Sequence, residues 1–209
     1  MDTRPYRIGF DHPFQPFAWL DDSGRPTGTL LGRVGRILAR AGLPYEWVPM
    51  TLAQTEPALR AGEVDALAFK GITPERLSTI DFSKTLEVSG AALFRRAGLP
   101  ASDDPHAFPG LRAATPRAGP LAAQLQRDYP EIACELVSSY EEALDALAAG
   151  TVDLAALNFQ AGIAIAQARH PGRIGLPSAP YAPLPLAFAV AKGRSPALLE
   201  RFNAAIDTP

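Results

Sequence analysis

The sequence predicts an α/β protein of two similar lobes, each a mostly parallel sheet flanked by helices, joined by two crossover strands. Three observations lead there. The first seventy or so residues alternate strand, helix, strand, helix, strand, the pattern of a helix-covered parallel sheet. Leu59-Arg60-Ala61-Gly62-Glu63-Val64-Asp65-Ala66-Leu67-Ala68 recurs as Leu147-Ala148-Ala149-Gly150-Thr151-Val152-Asp153-Leu154-Ala155-Ala156, identical at six of ten positions. Two extended apolar segments then flank the second repeat, which places lobe 1 at 1–95 plus 187–209 and lobe 2 at 96–186.

Each element has a local reason. Arg7-Ile8-Gly9-Phe10 reads as the first strand, stopped by Asp11-His12-Pro13. After the turn Asp21-Asp22-Ser23-Gly24-Arg25-Pro26, the positions Leu30, Leu31, Val34, Ile37, Leu38 and Ala41 fall on one face of a helix that Gly42 ends. Tyr45–Val48 is a second strand, Leu52–Ala61 a helix closed by Gly62, and Val64–Phe69 a third strand. Ala91–Arg95 is extended and leads into the loop-like Ala97–Pro109. Glu135–Val137 is a strand, and Ser139-Tyr140-Glu141-Glu142 opens a helix with the spacing of a capping box. Leu184–Ala191 is a further apolar strand, and Pro196–Ile206 a final helix.

Composition narrows the function classes. The chain has 209 residues, 47% apolar and 20% charged, with a formal net charge of −2. Those values describe a globular protein able to bury roughly 70% of its extended-chain surface. No apolar run approaches the ~20 residues of a membrane helix, and no basic footprint suggests nucleic acid. Met1–Pro5 has neither an apolar core nor a small-residue cleavage site, so no signal peptide is read there. A cytoplasmic protein and the mature part of an exported one with an added methionine both fit. Glycine-rich phosphate loops, nucleophile elbows and Cys/His metal spacings are absent, so no cofactor or metal is expected. His106 and His170 read as solvated loop residues, His12 less firmly so, and the single Cys134 as a core filler.

Ligands of open parallel sheets bind beyond the carboxyl ends of the strands, here Asp11–Phe17, Phe69–Thr73, Thr115–Pro120 and Asn158–Gln160. Asp11 could hold an amine or cap a turn. Phe14 could cover an apolar stem or stack on a cation, or lie in the core as Phe17 does. Lys70 and Arg117 are solvated cations or anion ligands, and Gly119-Pro120 opens a helix whose amide end favours anions.

With these residues in place, the chain resembles the bacterial extracellular solute-binding proteins of the polar amino acid type, two-lobed flytrap domains. Phe14-Gln15-Pro16-Phe17 with Asp22-x-Gly24-x-x-x-Gly28 is similar to the family's opening. Leu59-x-x-Gly62-x-Val64-Asp65, then Ile72-Thr73-Pro74-Glu75-Arg76 and Asp81-Phe82-Ser83, resembles its most specific signature. The resemblance implies a type II periplasmic-binding-protein-like fold. It also implies capture of a small carboxylate, an amino acid or organic acid, in the inter-lobe cleft by hinge closure. Arg76 matches the carboxylate clamp, and a guanidinium fork suits both carboxylate oxygens. Arg76 could instead be a surface residue paired with Glu75 or Asp81.

The departures from the family bear on the solute. Phe69-Lys70-Gly71 stands where hydroxyls are usual, Ala118-Gly119-Pro120 replaces Gly-Ser/Thr-Thr, Asn158 replaces an acid, and Leu52 an aromatic. The C-terminal helix and tail that normally follow are missing beyond Asp207-Thr208-Pro209. These changes suggest a cleft richer in cations than an amino acid binder's, and a preference for anionic solutes. The partners implied are the membrane permease subunits of an ABC importer, or a downstream signalling module, with the domain itself monomeric and periplasmic or extracellular. Two other readings carry over: the sensing domain of a receptor or histidine kinase, and a dehydratase-like enzyme using Asp11 or His12.

Overall fold

The computed structural model describes residues 4–206. The targeting reading at Met1–Thr3 and the expected end at Asp207–Pro209 lie outside the described residues. The chain divides into two compact units: the first runs to Val88 and resumes at Pro185, and the second is Ser89–Leu184.

In chain order the strands and helices of the first unit are β1 (Tyr6–Asp11), β2 (Trp19–Leu20), β3 (Pro26–Thr27), α1 (Thr29–Arg40), β4 (Tyr45–Met50), α2 (Leu52–Ala61), β5 (Ala66–Gly71) and β6 (Ile80–Phe82). β7 (Glu87–Arg96) carries the chain into the second unit. There follow β8 (Arg112–Pro116), α3 (Leu121–Asp128), β9 (Ala133–Val137), α4 (Tyr140–Ala149), β10 (Leu154–Asn158), α5 (Phe159–Arg169) and β11 (Ile174–Gly175). β12 (Ala182–Ala191) returns, and α6 (Pro196–Ile206) ends the described chain. Both unit boundaries therefore fall inside ten-residue strands.

The two units repeat one topology. In the first, β1 lies between β4 and β5, all parallel, and β12 runs antiparallel beside β5. In the second, β8 lies between β9 and β10, all parallel, and β7 runs antiparallel beside β10. The sequence repeat spans the same joint in each: the end of α2 or α4, a left-handed glycine, and the start of the third strand. Gly62 sits at φ 78°, ψ 19° and Gly150 at φ 76°, ψ 14°, a conformation in which a Cβ is strained.

Burial follows the pattern. On one face of the second sheet Phe94, Leu144, Leu147 and Leu157 pack together; on the other, Leu93, Leu121, Leu125 and Leu154 do. Burial on both faces accounts for the unbroken apolar run of β10. At the two ends of edge strand β4, the carbonyls of Pro44, just before it, and Met50, its last residue, accept from the amides of Tyr6 and His12. By alternation Pro49 points its missing donor outward, which blunts the edge against further pairing.

Some details differ from the sequence reading. Phe159–Arg169 is a helix where only a strand end was expected. The Ser139 hydroxyl accepts from the Glu142 amide, but the Glu142 carboxylate takes the amide of Ser138 rather than that of Ser139. Gln54 makes the corresponding contact with the Thr51 amide at the start of α2.

Candidate functional site

In the first unit, adjacent strands β1 and β5 end side by side, and α2 supplies the side chains that meet them. Leu52, Thr55, Glu56 and Leu59 share one helix face at three- and four-residue spacing. That face carries polar groups to the sheet end.

The Lys70 ammonium donates to both Asp11 oxygens, at 3.0 and 3.1 Å, and to the Thr55 hydroxyl at 2.6 Å. Thr55 donates onward to the Leu52 carbonyl. All three N–H groups are thus engaged, with the Lys70 and Asp11 side chains only 3% and 8% exposed. Burial pushes the Lys70 amine below its ordinary value, with the Arg76 charge adding to that; the Asp11 carboxylate opposes it.

Arg76 opens a short 3-10 turn and is buried. Its Nε and Nη2 meet Glu56 Oε1 at 2.9 and 2.7 Å, and its Nη1 donates to the Gly71 carbonyl at 3.0 Å. Asp11, Lys70, Glu56 and Arg76 are two carboxylates and two cations, with a formal sum of zero. The cation surplus expected from Lys70 is therefore corrected: Asp11 and Glu56 cancel the two positive charges.

Phe14 lies in an aromatic cluster, stacked on Phe69 with centroids 6.1 Å apart and tilted on Phe17 at 5.5 Å. All three rings are buried. Leu52, the first residue of α2, is half-buried.

The expected residues of the second unit are held by local contacts. Asn158 is buried and caps α5: its carbonyl oxygen accepts from the Ala161 amide at 3.1 Å, and its amide donates to the Ser89 hydroxyl at 2.7 Å. Arg117 is exposed, its backbone N–H bonded to the Val137 carbonyl. It stands near Glu142, whose carboxyl Ser138 holds below the usual range, with Arg117 contributing. The Gly119 amide turns back to the Pro116 carbonyl, and α3 begins after Pro120 without a side-chain cap.

Thr55 and Glu56 escaped the sequence reading. The signal was available: polar residues at the i+3 and i+4 positions of an apolar helix face. The histidines and the cysteine are placed as follows. His170 is half-buried and meets Asp145 at 2.6 Å rather than lying in water. Cys134 is half-buried and packs against the second unit's core, in keeping with the core-filler reading. His12 accepts from the Leu20 amide at 3.2 Å, and His106 is exposed beside Glu131. Among the described residues no group of three or more His, Cys, Asp or Glu could hold a metal, and no helix is long and apolar enough to cross a membrane.

Residues 6–208 match the family model of bacterial extracellular solute-binding proteins, family 3. A comparison with curated proteins found no match. Among solved structures, holo ArgBP from T. maritima is 22% identical, with TM-score 0.82, covering 96% of this chain and 88% of that one. An ancestral arginine-binding protein bound to glutamine is 22% identical, with TM-score 0.84 and coverages of 97% and 90%. A histidine kinase sensor domain with similarity to periplasmic binding proteins is 25% identical, with TM-score 0.84 and coverages of 97% and 89%.

Proposed function

Because the chain belongs to family 3 of the bacterial extracellular solute-binding proteins, we propose that it captures a small carboxylate-bearing solute without altering it, with Arg76 as the group that holds the carboxylate. One observation carries this reading: Arg76, buried at the strand ends, already holds a carboxylate, that of Glu56, through two nitrogens of its fork. A guanidinium so placed has the geometry that carboxylate recognition needs. Phe14, Phe69 and Leu52 are the further candidates in the first unit, and Arg117, Gly119 and Asn158 are the second unit's.

The domain works in the periplasm or outside the cell. Capture by hinge closure requires the solute to bind the closed form more tightly than the open one. The closed form is then read by permease subunits of an importer. Sensing is the second reading, favoured by the likeness to the histidine kinase sensor domain. A downstream signalling module would then be the partner.

Thermal-shift screening against amino acids and organic acids tests the capture reading, since a solute at 100 times its Kd adds ~2.7 kcal/mol. Arg76→Lys keeps the charge and loses the fork. Charged hydrogen bonds contribute ~1.5–3 kcal/mol each, so calorimetry on the best hit should show at least a tenfold loss of affinity. An unchanged affinity would make Arg76 structural.

A further inference from the structure

Resting on the capture reading, we propose that Glu56 is an internal competitor for Arg76, and that displacing it makes the site select zwitterions over simple carboxylates. The Nε and Nη2 edge of Arg76 is taken by Glu56, and Nη1 by the Gly71 carbonyl. A solute carboxylate that engages the fork must therefore take the Glu56 edge. Glu56 is the member of the pair able to leave: its side chain is 26% exposed, against 8% for Arg76.

Lys70 offers the displaced carboxylate no refuge, because Asp11 and Thr55 occupy its three N–H groups. Once off Arg76, Glu56 stands within reach of the incoming molecule with its charge uncompensated. A solute with an ammonium beside its carboxylate satisfies both partners, whereas a plain carboxylate leaves Glu56 repelling it. The cluster stays neutral only in the first case. Unlike the surplus of cations read from the sequence, this arrangement disfavours anions.

Acetate and glycine differ by one ammonium and isolate the effect. Both are titrated into the whole chain and into Glu56→Gln, with 15N NMR reading the Arg76 Nε–H resonance. The native chain should bind glycine about tenfold more tightly than acetate, the factor that loss of one charged hydrogen bond sets. Glu56→Gln should gain about tenfold for acetate, and the preference for glycine should collapse. Equal binding of the two probes by the native chain, or an acetate affinity in Glu56→Gln no better than native, overturns the proposal; a solute found by the screen would leave the capture reading standing. If neither probe moves Arg76 in either protein, and the screen finds no solute, both fall. If acetate reaches Arg76 only in Glu56→Gln and the screen finds nothing for the native chain, Glu56 blocks Arg76, but zwitterion selection falls together with the capture reading. Should Glu56→Gln fail to fold, Glu56→Asp retracts the carboxylate by one methylene and should give a smaller gain for acetate, with no gain counting against the proposal.

Discussion

Lys70 and Asp11 are a buried pair whose worth lies in being complete. Neither charge has water to fall back on, and Thr55 supplies only one neutral oxygen. Removing one partner of such a pair costs about 3–5 kcal/mol, because the other charge is left buried alone. Asp11→Asn should lose about that much in urea unfolding, whereas Asp11→Leu combined with Lys70→Met should cost far less than the two single changes summed. Additive losses would mean that the pair is not energetically coupled. Strand-end position led to Asp11 and Lys70, and the family resemblance led to Arg76. The sequence reading missed Thr55 and Glu56 because Leu52–Ala61 was read only as a helix, and the polar members of one of its faces supply the partner hydroxyl and carboxylate. Phe14 shows the same limit from the other side: nothing in Phe14-Gln15-Pro16-Phe17 tells a cleft wall from a ring stacked on Phe69.

Helix α5 was illegible for a physical reason. Phe159, Ala161, Gly162, Ile163, Ala164, Ile165 and Ala166 put apolar groups on all its sides, so no 3.6-residue stripe stands out. Its fit is nevertheless tight: a Cβ on Gly162 would lie 2.4 Å from the Phe94 ring. Beside the apolar packing of α4 on α5, Asp145 meets Arg169 Nη2 at 2.7 Å and His170 Nε2 at 2.6 Å. The Arg169 and His170 hydrogen bonds hold its carboxyl below the ordinary value of 3.8. A carboxyl lowered in the folded state adds stability above its unfolded value, and that stability is lost as pH falls through the folded one. Asp145 is 44% exposed, so solvent screening limits the contribution to less than about 1 kcal/mol. Asp145→Asn should therefore be slightly less stable near neutrality, with the gap closing below pH 3.8. A gap that persisted in acid would point to packing rather than charge.

At the scale of the chain, the repeated ten residues mark a longer correspondence than identity reveals. In the first unit the Asp65 amide donates to the Arg7 carbonyl at 2.8 Å, and the Asp65 carboxylate accepts from the Arg7 amide at 2.8 Å. In the second, the Asp153 amide donates to the Arg112 carbonyl at 3.0 Å, and its carboxylate accepts from the Arg112 amide at 3.2 Å. Each arginine also reaches the carbonyl two residues before its aspartate, Arg7 to Glu63 and Arg112 to Thr151. The same latch thus ties the start of the central strand to the start of the third strand in both units. Sequence alone showed the aspartates and not the arginines, which sit over fifty residues before Asp65 and about forty before Asp153 in unrelated local contexts.

A latch local to each unit should act locally, because each unit has its own buried core. Asp65→Ala removes the carboxylate–amide bond at the head of β1 together with the two bonds from the Arg4 guanidinium; a hydrogen bond to a charged group is worth about 1.5–3 kcal/mol, at least about tenfold in opening. Hydrogen exchange should then quicken by that factor at Arg7, Ile8 and Ala66 while β8 and β10 keep their protection. Asp153→Ala should do the converse at Arg112, Ala113 and Leu154. If either substitution instead speeds exchange throughout the chain, the strands open only in a global unfolding event, and the two latches serve one cooperative structure.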